Sequence, residues 1–327
     1  KGVINMNKFK KIGLSALAGS LVAMSAANAE MSVSGGASIG VSQQNDTAAA
    51  GYYMNNSVKF TYSGETDNGL TVTQYIEIDG GTQDDAWTTV SGGFGSLHYQ
   101  QSGGTVMSGW DDKTPTAWEE VWDVAELGNT AAVANDVQVI NGAGGGSNTF
   151  KYVSPTVSGV TFSAAYFQGA VAASAHNEAV VNSYNDFGIE ISPEMVEGLT
   201  IGYGMGEVDE TAAITNDEST LWVTYAFGPV TVGYQASEVD GSTSTQDDES
   251  TAMSISYAVS DDLSISYGTH ELDLGSATVD QESKGFSVSY SMGGVSIGFA
   301  QNTIDNVAGA TAAANDIEGY DLNVAFS

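Results

Sequence analysis

Between Ser219 and Ser327 seven segments carry an apolar residue at every second position, and the residues between are mostly small and polar. Leu221, Val223, Tyr225 and Phe227 alternate first, followed by Val230, Val232 and Tyr234. Met253, Ile255, Tyr257 and Val259 continue the rhythm, then Leu263, Ile265 and Tyr267. Phe286, Val288, Tyr290 and Met292 come next, then Val295, Ile297 and Phe299, and last Tyr320, Leu322, Val324 and Phe326. Successive side chains of a strand point to opposite faces, so each segment is a ribbon with one apolar side. A soluble sandwich or barrel turns that side inward onto a packed core. A membrane barrel turns it outward onto lipid and keeps the polar side on water.

The same period, read from Glu30 onward, marks sixteen candidate strands. They lie near 31–41, 56–64, 70–79, 86–91, 95–101, 148–154, 158–168, 184–192, 199–208, 219–228, 230–239, 250–259, 263–272, 283–292, 295–304 and 317–326. Strands of this length tilted near 45° cover roughly 25 Å, the height of an outer-membrane apolar band. Short connections such as 65–69, 155–158 and 293–294 alternate with long ones such as 42–55, 80–85, 209–218 and 240–249. That order fits an all-β, antiparallel, up-and-down transmembrane barrel of about sixteen strands. The acid-rich long connections are expected at its external mouth. Five charged or titratable residues fall on the polar face by parity: Lys59, Glu77, His98, Lys151 and Glu190. In a dry core such groups are costly unless paired. In a water-filled lumen they are hydrated, which favours the membrane barrel. Lys59 and Lys151 fit equally as a small basic cluster on the wall and as ordinary lumen lysines.

The first 29 residues differ from the rest. Lys8, Lys10 and Lys11 precede an apolar stretch from Ile12 to Met24, and Ala27-Asn28-Ala29 follows. This is the basic, apolar and small-x-small order of a secretory signal, with cleavage expected after Ala29 and a barrel domain over 30–327. The apolar stretch is shorter than the ~20 residues of a spanning helix.

Charge narrows the partners. Four of the eight lysines precede Glu30 and all 40 acids lie at or after it, which leaves a net −36 from Glu30 onward, with no arginine. Such a chain repels nucleic-acid phosphates and favours cations. There is no cysteine, which removes disulfides, thiolate metal sites and cysteine nucleophiles. His98, His176 and His270 lack metal-ligand spacing. Gly142–Gly146 has no Lys-Ser/Thr after it, so it is not a phosphate-binding loop. Acidic runs such as Asp247-Asp248-Glu249 are weak Ca²⁺ candidates, and no other cofactor is expected.

One connection breaks the strand rhythm, Ser102–Ser147 at 46 residues. Loops this long without structure are uncommon and usually functional. Thr116 followed by Glu119 predicts a capped short helix, with Trp118 and Trp122 on one face and Glu119 and Asp123 on the next. Three tryptophans in a polar loop need a surface to bury against, so the loop is expected to fold into the lumen. Asp111, Asp112, Glu119, Glu120 and Asp123 are then the expected constriction acids.

Leader, alternating strands, short turns, long loops, the loop after strand five and an amphipathic last strand together resemble a Gram-negative general porin. The absence of arginine and the wording of the leader are similar to a marine alphaproteobacterial type. The resemblance implies a sixteen-stranded barrel in outer-membrane lipid, assembled as a homotrimer. It also implies a third loop whose carboxylates face a basic wall, and passage of small hydrophilic solutes and cations. The chain departs from it in lacking the arginines of that wall. The small-residue stretch Ser34–Ile39 is a candidate trimer contact. A non-conducting structural or adhesion barrel is the alternative. A barrel enzyme would need a defined catalytic cluster, which the sequence does not offer.

Overall fold

The computed structural model describes residues 30–44, 50–102, 104–122, 147–168, 183–211, 214–241, 247–311 and 316–326. The leader, Asp123 and His176 lie outside them. The sixteen strands are β1 (Glu30–Gln44), β2 (Gly51–Glu65), β3 (Thr71–Asp79), β4 (Thr82–Gly92), β5 (Gly95–Ser102), β6 (Ser147–Val153), β7 (Val160–Phe167) and β8 (Tyr184–Ile191), continued by β9 (Leu199–Thr211), β10 (Ile214–Phe227), β11 (Val230–Asp240), β12 (Asp248–Ala258), β13 (Leu263–Leu274), β14 (Gln281–Met292), β15 (Val295–Asp305) and β16 (Ile317–Phe326). Each pairs with its sequence neighbours, and β1 pairs antiparallel with β16, so the sheet closes on itself. Closure leaves no strand edge unpaired, which is what lets a sheet stand in hydrocarbon.

The amphipathicity is inverted relative to a soluble protein. Leu221 is 42% exposed, Tyr257 41% and Met253 55%, all on the apolar face of a single closed sheet. Among the described residues no second sheet covers that face. The opposite face carries Ser, Thr, Gly, Asn and Gln, and it lines the enclosed space.

Several strands run further than their apolar stretches. Thr82–Asp85, expected in a long loop, belong to β4, and Gly80-Gly81 alone make the turn from β3. Both glycines have positive φ, 55° and 86°, the backbone of a two-residue turn whose twist matches the strands it joins. Likewise β9 and β10 reach within two residues of each other, so Asp209, Asp217 and Glu218 sit on strands. Asp248 and Glu249 open β12 in the same way. The expectation that these acids lie in connecting loops is corrected, since they are on paired strands. Backbone pairing carries the hairpins past the lipid, where alternation in hydropathy has already stopped.

The seam between the first and last strands has its own side-chain latch. The Tyr53 hydroxyl reaches Asp321 at 2.8 and 2.9 Å and accepts from Asn323 Nδ2 at 2.9 Å. Tyr53 is on β2 and Asp321 on β16, so the contact spans β1. It does so over Gly40, where any Cβ would run into the Tyr53 ring.

Candidate functional site

The described part of the long loop, residues 104–122, lies along the polar face of half the barrel. It makes one short 3₁₀ turn, Met107–Gly109, and is otherwise irregular. Among the described residues, the short helix expected from the Thr116 and Glu119 capping signal does not form. Over the eight residue steps from Trp110 to Trp118 the chain passes from β8 and β9 to β14 and β15. A helix would advance only about 12 Å over that length. Contacts with the wall outweigh the local capping signal.

Those contacts are regular. The Met107 N–H donates to Asp186 Oδ2 of β8 at 2.7 Å. Lys113 N–H donates to Gln235 Oε1 of β11 at 2.7 Å, while Gln235 Nε2 donates to the Trp110 carbonyl at 2.6 Å. Ser254 Oγ of β12 donates to the Pro115 carbonyl at 2.6 Å. Ala117 and Trp118 N–H groups donate to Ser266 of β13 and Ser287 of β14 at 2.9 and 3.1 Å. Asn302 of β15 donates to the Glu120 carbonyl at 2.8 Å. In this way the wall's short polar side chains satisfy backbone groups that an extended buried segment cannot satisfy itself.

Between these bonds, glycines of the wall seat the loop's bulky side chains. Trp110 lies over Gly188 and Gly204, Pro115 over Gly233, and Trp118 over Gly298. Trp110 also meets Trp222 edge-on, with ring centroids 5.6 Å apart. Trp122 packs on His270 at 4.8 Å and joins Val121 and Ala252 in a small buried cluster. Trp118 and Trp122 thus occupy separate seats on different strands. A glycine inside a strand marks a close approach by another part of the chain, and that signal was available in the sequence.

None of the loop's four described acids is fully buried. Asp112 is exposed, and Asp111, Glu119 and Glu120 are half-buried. Burial first, and then the neighbouring Asp112 carboxylate, push Asp111 up to about 6.

The wall residues are dispersed around the barrel. Lys59 pairs with Glu77 at 3.3 Å. His98 Nε2 donates to Gln100 Oε1 at 3.0 Å, and its Nδ1 is hydrogen-bonded with the Thr89 hydroxyl at 2.7 Å. Lys151 pairs in register with His98 and interacts electrostatically with Asp186 and Lys113. Glu190 lies further round, on β8 opposite Thr161 and Gly202. Lys59 and Lys151 stand four strands apart, so they do not make a cluster with each other. Among the described residues, no group of three or more His, Asp or Glu is arranged to hold a metal ion. Asp247 and Asp248 accept instead from the backbone N–H groups of Gly241 and Gly275, at 3.0 and 3.1 Å.

A family model described as Gram-negative porin matches residues 13–306. The chain is similar in structure to the anion-selective porin from Comamonas acidovorans, with TM-score 0.68 and 13% identity over 91% of this chain and 99% of that one. It is similar also to a porin refined at 1.8 Å resolution, with TM-score 0.64 and 17% identity over 91% and 99%. A third is OmpT, an outer membrane protein of Vibrio cholerae, with TM-score 0.64 and 12% identity over 91% and 97%. Among curated protein sequences none matches.

Proposed function

The chain belongs to the Gram-negative porin family, and from that membership and the geometry of loop and wall we propose a cation-selective, water-filled pore. The family and the fold make it an outer-membrane diffusion channel and not an enzyme. The sign of its selectivity does not follow from the fold, since one protein of similar structure is anion-selective. In this reading residues 104–122 narrow the lumen, and Asp111, Asp112, Glu119 and Glu120 face the passing solute. Asp123 continues the same acidic run. The leader exports the chain and is removed after Ala29, and the mature barrel assembles as a homotrimer.

The observation that carries the reading is how the loop meets the wall. Its tryptophans pack on wall residues while none of Asp111, Asp112, Glu119 and Glu120 is fully buried, which supports carboxylates that meet the water path. Fixed charge at a narrow, partly desolvated point sets which ions cross. Only four lysines oppose 40 acids from Glu30 onward, and two of the four are already paired, Lys59 with Glu77 and Lys284 with Asp305.

The test is the reversal potential in a KCl gradient across a planar bilayer. Detergent-solubilised protein for it is expected to run as a trimer until heated and to begin at Glu30. A cation-selective sign is expected, and the double variant Asp111→Asn with Asp112→Asn should roughly halve the K⁺/Cl⁻ permeability ratio. An anion-selective sign would defeat the charge argument. The selectivity should also respond to pH. A carboxyl held near 6 is charged at pH 7.5 and neutral at pH 5, so cation preference falls as pH falls through about 6. Asp112→Asn alone removes one cause of the upward shift and should move that midpoint lower.

A further inference from the structure

The wall between Lys59 and Lys151 carries a row of rings that passive diffusion does not require. Tyr75 of β3, Trp87 of β4 and His98 of β5 stand side by side on the polar face. Tyr75 pairs in register with Trp87, and His98 pairs with Thr89, two residues further along β4. The Tyr75 and Trp87 rings are stacked, with centroids 5.1 Å apart and planes 13° from parallel. Trp87 and His98 follow at 5.2 Å with a 41° tilt. All three residues are half-buried, so none is fully covered. The hydrogen bonds that tie residues 107–120 to the wall run to β8 and to β11–β15, away from this row.

Hydrogen-bonding groups bracket the row at both ends. The Tyr75 hydroxyl donates to Glu77, which also pairs with Lys59 at 3.3 Å. At the other end Gln100 accepts from His98 and donates to Asp85 at 3.3 Å. Donors and acceptors are therefore both present on either side of an apolar strip roughly 10 Å long. Uncovered aromatic surface with a few convergent polar groups is the pattern of a small-molecule site. A solute with a flat face of C–H groups and a rim of hydroxyls matches it. Ions match it less well. A cation would meet Lys59 at one end and Lys151, opposite His98, at the other, and an anion would meet Glu77.

Resting on the channel reading for access, we infer that the Tyr75–Trp87–His98 row is a binding strip for neutral pyranose sugars inside the lumen. The sugar ring lies against Trp87 and its neighbours. Its hydroxyls exchange hydrogen bonds with Glu77, Lys59 and Gln100.

Cellobiose, a disaccharide with two flat pyranose faces, is the probe, and mannitol, an open-chain polyol, is its control. Added to wild-type channels in a planar bilayer, cellobiose is expected to reduce the KCl current saturably, while mannitol gives no saturable component. Trp87→Ala should raise the half-saturating cellobiose concentration roughly tenfold, and Trp87→Phe should recover most of that loss. Gln100→Ala supplies a second route should Trp87→Ala fail to fold, and it should weaken the block severalfold. Equal block of wild type, Trp87→Ala and Gln100→Ala, or no saturable block by cellobiose, overturns the strip. So does saturable block by choline chloride with none by cellobiose. A protein that gives no current steps overturns the channel reading instead. The strip is then decided in detergent, where cellobiose should change the tryptophan fluorescence of the wild type but not of Trp87→Ala. No change in the wild type overturns it.

Discussion

Replacing Gly188 with leucine is expected to lower the unfolding midpoint of the detergent-solubilised barrel and to lift the long loop from its seat. A Cβ at this position runs into the Trp110 ring and comes within 3.0 Å of Val106 Cγ1. Trp110 has little room to yield. Trp222 stands at its edge, Gly204 lies beneath it, and Gln235 holds its carbonyl. Overpacking of this kind costs up to about 3 kcal/mol when neighbours cannot relax. The loss is expected as a lower urea midpoint together with a changed near-ultraviolet tryptophan dichroism. Gly93 is the control, since nothing lies within 4 Å of a Cβ built there, and Gly93→Ala should leave both signals in place. A Gly188→Leu protein with wild-type midpoint and dichroism would show that the loop is not held through this contact.

The second large effect concerns the outer face. Ile255 of β12 is 45% exposed on the apolar side of the sheet. If that side meets hydrocarbon, Ile255→Lys should cost about 2–4 kcal/mol of folding free energy in lipid vesicles. Ser256 is the next residue and points the other way, so Ser256→Lys should cost no more than about 1 kcal/mol. A soluble sandwich would also penalise lysine at 255, but only if the site were buried, and the closed single sheet leaves it exposed. The discriminating comparison is therefore the same pair in aqueous detergent-free buffer, where a soluble protein would unfold reversibly and a lipid-facing barrel would aggregate.

Much of the fold was legible because the period of two is strict wherever one face meets lipid. Every candidate strand corresponds to a strand of the barrel, including Gly95–Ser102 and Ser147–Val153 on either side of the long loop. Strand ends were not legible. Beyond the lipid both faces meet water, alternation stops, and acids such as Asp217 and Glu249 read as loop although backbone pairing continues through them. The loop was legible in its needs and not in its shape. Its tryptophans called for a surface, but an N-cap sequence cannot report that Ser266 and Ser287 will take the backbone N–H groups first.

The candidate site divides in the same way. Lys59 and Glu77 were placed on one face by parity, but their pairing depends on β2–β3 register, which no single strand encodes. The row of Tyr75, Trp87 and His98 escaped notice for that reason too. Each ring alternates with ordinary neighbours, and only the pairing of three strands brings them together. The glycine seats were overlooked because 40 glycines spread through a β-rich chain look like turns and bends. Gly188, Gly233 and Gly298 could have been separated from the rest by their positions on the polar parity of strand interiors.

The chain has no cysteine, so any cysteine introduced into β2 is its only thiol. Single substitutions Ser57→Cys, Val58→Cys, Lys59→Cys, Phe60→Cys and Thr61→Cys can be placed in vesicles and treated with a charged, membrane-impermeant thiol reagent. Alternation is expected, with positions 57, 59 and 61 modified and positions 58 and 60 protected by lipid. Uniform protection, or modification at 58 and 60 alone, would mean that water does not fill the space the strands enclose.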